Sequence, residues 1–271
     1  LSLSFTTAQK LFEIIEKHLP QGPHWNSTSI TLPDAPDEPQ EFYHQDILEC
    51  TKFLFGDPSF SGDMLYSAAE YFEGAKEGYI DDCEGLNRIY CEMNSGDLWV
   101  KEERKLPKHA TLHTIILASD KTHLTNYSGD KSMHVVLMTL GNIRKSVRRK
   151  IKQNAYILLA EIPSPKFECT HFSTVTEERD MPGILRRQLF HSCMSIILEP
   201  LRQYGQPALL YRALDPDGYT QKCAAILAGW IADMDELWTI LGLSPGACAK
   251  CLTTHANLDS PCEQNARTSQ W

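Results

Sequence analysis

No stretch of this 271-residue chain approaches the roughly 20 consecutive apolar residues of a membrane-spanning helix. The opening Leu1-Ser-Leu-Ser-Phe5 has neither a basic n-region nor an apolar h-region, so it does not read as a secretory signal. Its first residue is Leu rather than Met, as a trimmed or incomplete product would begin. The nine cysteines form no framework: Cys50, Cys83, Cys91, Cys169, Cys193 and Cys223 are scattered. That absence points to a reducing compartment, cytosol or nucleus. There is no phosphate-binding glycine loop, no dinucleotide fingerprint and no nucleophile elbow; Ser192 and Ser195 sit inside a helical pattern without the glycines an elbow needs. Internal repeats and low-complexity tracts are missing as well. An excess of basic charge is also lacking: the net charge of -9 argues, taken whole, against a nucleic-acid partner.

What is present qualifies that last exclusion. Hydrophobic residues make up 42% and charged residues 23%, values at which a core forms. The charge is unevenly spread. Residues 1–100 carry 5 basic and 18 acidic groups, 101–210 carry 17 and 10, and 211–271 carry 4 and 7. A phosphate contact is screened beyond about 8 Å at physiological salt, so the middle segment can face a polyanion whatever the total.

Residues 6–18 predict a short amphipathic helix ended by Pro20, and residues 44–55 a second, with Ile47, Leu48, Phe53 and Leu54 on its buried side. Between them, 32–39 reads as a polar, Pro-rich linker. The segment 60–98 is acidic, aromatic and Gly-bearing, which suits irregular structure with short strands. From Leu112 the pattern changes. Three apolar runs, Leu112–Ala118, Val135–Leu140 and Tyr156–Ile162, suit buried strands. A helical pattern covers about 183–203. Asp215-Pro-Asp-Gly218 is a turn between two further runs, and the apolar run Ala224–Ala232, strand or helix by periodicity, stops at Asp233. This order is that of an RNase H-like α/β core, a mixed sheet with helices, whose first and fourth strands lie side by side and parallel. The expected division is an N-terminal acidic, mostly irregular or helical region (1–105), the core (106–245) and a CxxC segment (246–271).

In such a core Asp120 and Asp233 meet at one sheet edge, where open α/β sheets place ligands. Phosphodiester cleavage with two Mg²⁺ or Mn²⁺ ions requires carboxylate oxygens held on rigid backbone. The plainer reading of either residue is a solvated strand end or a helix cap. Arg144, Lys145, Arg148, Arg149, Lys150 and Lys152 place six cations in nine residues, either a phosphate-backbone contact or a solvated basic loop. Cys248 and Cys251 have the spacing of half a tetrahedral zinc site, with His255 and Cys262 as further ligands; the alternative is two buried thiols in a turn. His123, His134 and His191 read as packing or surface residues.

These stretches, in order, resemble the Plavaka-type transposases, a fungal branch related to the CACTA DNA transposons. Leu106-Pro-Lys through Ile115-Ile-Leu-Ala-Ser-Asp-Lys-Thr122 is similar to their KLP…ILASDKT motif. Gly129-Asp-Lys131, Leu140-Gly-Asn-Ile143 with Val147-Arg-Arg149, Leu189-Phe-His-Ser-Cys193, Glu199-Pro-Leu201, Ile231-Ala-Asp233 and Cys248-Ala-Lys-Cys251 follow in the family's sequence. Upstream, Gln45-Asp46, Glu49-Cys50 and Leu54–Phe60 resemble its RDPxEC…LIGNPAF segment, so the resemblance runs from about 24 to 262.

The resemblance implies an RNase H-like DDE/D domain, metal-dependent DNA cleavage and strand transfer, and a nuclear site of action. It makes Asp120 and Asp233 the first two catalytic acids, and Mg²⁺ or Mn²⁺ the catalytic cofactor. The implied partner is double-stranded DNA at transposon ends, with room for a homo-oligomer and no membrane. Met234-Asp-Glu236 departs from the Phe-Pro-Glu/Ala that usually follows the second acid. The family's third acid lies well downstream of the CxxC segment; nothing here matches it, and Glu263 is too close to the cysteines. The expectation is therefore an incomplete transposase core. The alternative is a decayed or domesticated chain that binds DNA or zinc without chemistry.

Overall fold

In a computed structural model, residues 5, 7–18, 22–73, 87–123, 132–204 and 210–252 are described. Their organising feature is a seven-stranded mixed sheet in the order β1-β2-β7-β6-β5-β9-β8, with a separate two-stranded ribbon, β3-β4. The strands are β1 (Trp25–Leu32), β2 (Ala35–Gln45), β3 (Tyr71–Phe72), β4 (Arg88–Ile89), β5 (Ala110–His123), β6 (Ser132–Leu140), β7 (Ile157–Ile162), β8 (Tyr211–Leu214) and β9 (Thr220–Ile231). The helices are α1 (Ala8–His18), α2 (Ile47–Phe55), α3 (Asp97–Glu103), α4 (Lys145–Arg148), α5 (Val175–Tyr204) and α6 (Met234–Ile240).

The stretch expected to be a linker is a β-hairpin. Leu32 pairs with Ala35 across Pro33-Asp34, and β1 and β2 run antiparallel from there to Trp25–Gln45. Its composition misleads because only Ala35, Phe42 and Gln45 of β2 are buried. Pro36 and Pro39, which cannot donate to a ladder, lie where β2 has no second partner strand: β2 meets β7 only at Tyr43 and His44. The N-terminal region is thus less irregular than its sequence suggests, and it extends the main sheet. The helix expected from residue 44 starts at Ile47, because Asp46 caps it, its Oδ1 accepting from Leu48 N (2.8 Å) and Glu49 N (2.9 Å).

β5 is an interior strand of the sheet. It pairs antiparallel with β6 and parallel with β9, through Ala110–Lys222 to Ala118–Ile231. The run Ala224–Ala232, ambiguous by periodicity, is this parallel strand. Alternation along β5 feeds two faces. His113, Ile115 and Leu117 are buried on the side of α2 and α5, while Leu112 packs with Leu65, Trp99 and Ala224 on the side of α3. Helix α5 begins eight residues before the expected 183. Thr174 and Glu177 form a reciprocal capping pair (Glu177 N to Thr174 Oγ1 and Thr174 N to Glu177 Oε2, both 3.2 Å), so the helix starts there and carries Pro182 within it.

Asn142 fastens the β6–β7 loop to β5. Its buried Nδ2 donates to Leu65 O and Leu112 O, both at 2.9 Å, and its Oδ1 accepts from Thr114 N at 3.0 Å. Gly141 beside it has no room for a side chain: a Cβ there would lie 2.5 Å from Thr114 Oγ1.

Candidate active site

Asp120 lies on β5, two residues past Ala118; Asp233 lies two residues past Ile231, at the end of β9. Ala118 and Ile231 are the last partners of the parallel ladder, so each aspartate follows the ladder's end by two residues, Asp120 still within β5 and Asp233 just past β9. Each is exposed, so a substrate and hydrated ions can reach them. The two are held differently. β5 continues past its expected stop, and Asp120 remains in the ladder opposite Val135 of β6. Asp233 is the N-cap of α6, its Oδ1 accepting from Glu236 N at 2.8 Å. One carboxylate oxygen of Asp233 is therefore engaged by the cap of α6.

The last rung before the acids is locked by side chains: Trp230 Nε1 donates to Ser119 Oγ at 2.7 Å. Beneath, Phe190 of α5 stacks on His134 (centroids 5.5 Å, interplanar 16°) and leans on Trp230 (6.1 Å). His134 Nε2 in turn lies 2.5 Å from Glu236 Oε1, with Glu236 buried. His134 is therefore a packing residue, as its sequence context suggested. Glu236 escaped attention there; the signal was its position three residues after a capping Asp. Alternation along paired strands sets Asp120 on one face with Val135, and Lys121 and His134 on the other. The Glu236 carboxylate is engaged by His134. Among the described residues no group of three or more His, Cys, Asp or Glu side chains is placed to hold a metal ion.

A family model described as Plavaka transposase matches residues 5–271. The chain belongs to the Plavaka transposase family. No curated protein and no solved structure matches it.

Other segments of this Plavaka chain are placed as follows. Of the six cations of the β6–β7 loop, Arg144, Lys145, Arg149, Lys150 and Lys152 are exposed. Two of the six are also structural. The Nη1 of the half-buried Arg148 donates to Leu140 O (3.2 Å) and Ile143 O (3.0 Å), and Lys145 Nζ donates to Cys91 O (2.6 Å). The loop does not adjoin the aspartates. Asn142 at its base is bonded to Leu112, eight residues before Asp120 on β5, or roughly 27 Å at the rise of an extended strand. Cys248 and Cys251 are half-buried, and Lys250 N donates to Cys248 Sγ at 3.4 Å. His255 and Cys262 lie outside the described residues, as do His123's side chain and the Gly129-Asp-Lys131 motif. His191 is exposed and lines a groove of about 650 Å³ with Ile184, Arg187, Thr239 and Leu243. No helix among the described residues is long and apolar enough to cross a membrane.

Proposed function

We propose that this chain is the DNA-processing core of a transposase, an RNase H-like domain in which Asp120 and Asp233 are two of the acids of metal-dependent cleavage and strand transfer at the transposon ends. The observation that supports it is the parallel β5–β9 register, whose last partners, Ala118 and Ile231, each precede an exposed aspartate by two residues in segments over a hundred residues apart in sequence. The strand sequence supports the fold: three antiparallel strands (β5, β6, β7), a long helix, then a strand parallel to the first. The nucleus, where such DNA is found, is the proposed place of action.

The donor set suits a hard divalent ion. Asp120 and Asp233 offer carboxylate oxygens, and Mg²⁺ or Mn²⁺ accepts one or two such ligands while keeping several waters. Bound there, the ion would polarise a phosphoryl oxygen and lower the pKa of its water. The residues themselves supply position. Asp120 is held in the β5–β6 ladder beside the Ser119–Trp230 bond and Asp233 by the α6 cap, the fixed positioning that in-line attack on a phosphodiester needs. The exposed cations Arg144, Arg149, Lys150 and Lys152, with Lys145 and Arg148 behind them, hold the backbone of double-stranded DNA. Cys248 and Cys251 hold a structural Zn²⁺; the Lys250 amide directed at Cys248 Sγ stabilises a thiolate.

The test is Mn²⁺ binding to the purified chain, read by electron paramagnetic resonance. A bound ion lost in both Asp120→Asn and Asp233→Asn supports a shared site; equal binding in the wild type and both variants overturns it. Zinc content that is the same in wild type and Cys248→Ser removes the zinc site. One observation favours the second reading, a non-catalytic DNA- or zinc-binding derivative: the Asp233 cap also serves α6 alone. Under that reading, both Asp→Asn variants leave Mn²⁺ binding unchanged while DNA binding persists.

A further inference from the structure

We propose that Ile151 is an apolar wedge that enters duplex DNA between base pairs and bends it, at a point remote from the acid pair. This rests on the DNA-binding reading above and goes beyond it. Ile151 is 95% exposed, the most exposed of the large hydrophobic side chains described. Single exposed aliphatic residues are common and usually mean nothing. This one differs in its mounting and in its surroundings.

The mounting is rigid. Arg148 N and Arg149 N donate to Arg144 O and Lys145 O (2.9 and 3.2 Å) around α4, and Lys150 N donates to Val147 O at 2.9 Å. A 3-10 turn over Ile151–Gln153 then closes through Gln153 N to Lys150 O (3.0 Å), and Asn154 ends it in the left-handed region at φ 48. Val147 and Ala155 are buried on either side of the turn, and the Arg148 guanidinium fastens it to the end of β6. Ile151 is thus presented at a tip that loses little freedom on binding, which is what an inserted side chain requires.

The surroundings select the partner. Arg149, Lys150 and Lys152 flank Ile151, all exposed, and no acidic residue occurs from Gly141 through Ala160. A surface of this kind is complementary to a polyanion with apolar gaps along it. Duplex DNA offers phosphates on the flanks and stacked bases between them. Proteins that insert Ile, Leu, Met or Phe at a base step kink the duplex and gain surface by doing so.

The experiment uses the whole chain and a duplex of about 120 base pairs, shorter than the persistence length of about 150, so that its ends rarely meet unaided. Ligase-mediated circularisation is measured beside affinity and its salt dependence, for wild type, Ile151→Ser, Ile151→Phe and the pair Lys150→Ala with Lys152→Ala. The wild type and Ile151→Phe are expected to promote circles. Ile151→Ser should lose that effect and bind about tenfold more weakly, the size expected for one unburied aliphatic side chain, with its salt slope unchanged. The lysine pair should flatten the slope by about two units. Because Ile151 is 95% exposed, Ile151→Ser is expected to fold normally, and its far-UV spectrum checks this. Circularisation and affinity unchanged in Ile151→Ser overturn the wedge and leave DNA binding standing. No duplex binding by the wild type overturns both, and binding to phosphatidylserine vesicles in its place assigns the tip to a membrane surface.

Discussion

His134 of β6 and Glu236 of α6 meet at 2.5 Å, Nε2 to Oε1, under the stacked ring of Phe190. They come from residues 102 apart in sequence, and they tie the helix that Asp233 caps to the strand that pairs with Asp120. Removing one partner strands the other in a largely buried place. Glu236→Ala is expected to lower stability by roughly 1–3 kcal/mol, and Glu236→Gln, which keeps an acceptor, by less. Urea denaturation of the two variants checks this; equal losses would mean that only the volume of the side chain matters.

A second expectation concerns Asn142 and Gly141. Asn142→Ala leaves Leu65 O, Leu112 O and Thr114 N without their partner in a buried site, and should cost at least about 2 kcal/mol. Gly141→Ala forces a Cβ onto Thr114 Oγ1 and Met93, and should cost about 1–3 kcal/mol. Thermal melts of both variants give the answer; a Gly141→Ala chain as stable as wild type would show that the loop yields easily.

His113 makes the chain sensitive to acid. Burial pushes its pKa down to about 3, and the ring sits against Phe55 with Nδ1 2.6 Å from the Tyr211 hydroxyl. The unfolded chain takes up this proton near pH 6.5 and the folded chain does not. Stability from this residue is therefore complete above about pH 6.5 and falls as pH drops towards 3, by about 1.4 kcal/mol per unit. His113→Gln should show a shallower loss between pH 6 and 4 in urea titrations. Parallel curves for the two proteins would remove the effect.

The thiols divide by burial. Desolvation raises Cys50, Cys193 and Cys223 to about 12, whereas Cys91 and Cys169 are exposed. A thiolate-specific reagent at pH 8 should modify Cys91 and Cys169 within minutes and the three buried thiols only in denaturant. Peptide mapping after brief labelling reads this directly, and early labelling of Cys193 would contradict the packing of α5.

How much of this was legible in the sequence varies with the kind of signal. The three apolar runs and the Asp215–Gly218 turn, where Asp215 Oδ1 accepts from Asp217 N and Tyr219 N and Gly218 takes φ 85, announce themselves because one residue type suits one backbone. The capping pair Thr174–Glu177 was equally legible, and the helix it starts, eight residues before the apolar pattern at 183, runs through Pro182. The β1–β2 hairpin was hidden by prolines that an incompletely paired strand tolerates. Of the site, the two aspartates stood out because each follows an apolar run. Glu236 did not, since nothing local reveals that a carboxylate on a polar-looking helix turn will be buried by a histidine from another strand. The structural use of Arg148 was equally invisible: a cation cluster in sequence does not say which member turns inward.

The parallel pairing of β5 with β9 has a consequence for how the molecule comes together. Thr111 sits beside Cys223 and Ala118 beside Ile231, so β5 waits for a partner more than a hundred residues later. Closing so long a loop is slow compared with forming the β5–β6 ladder or α5. During synthesis β5 would then be paired on one side only, with its other edge of amides and carbonyls open to any passing strand. Closure of the sheet's most vulnerable edge therefore waits for β9, and a chain arrested before it would be prone to associate.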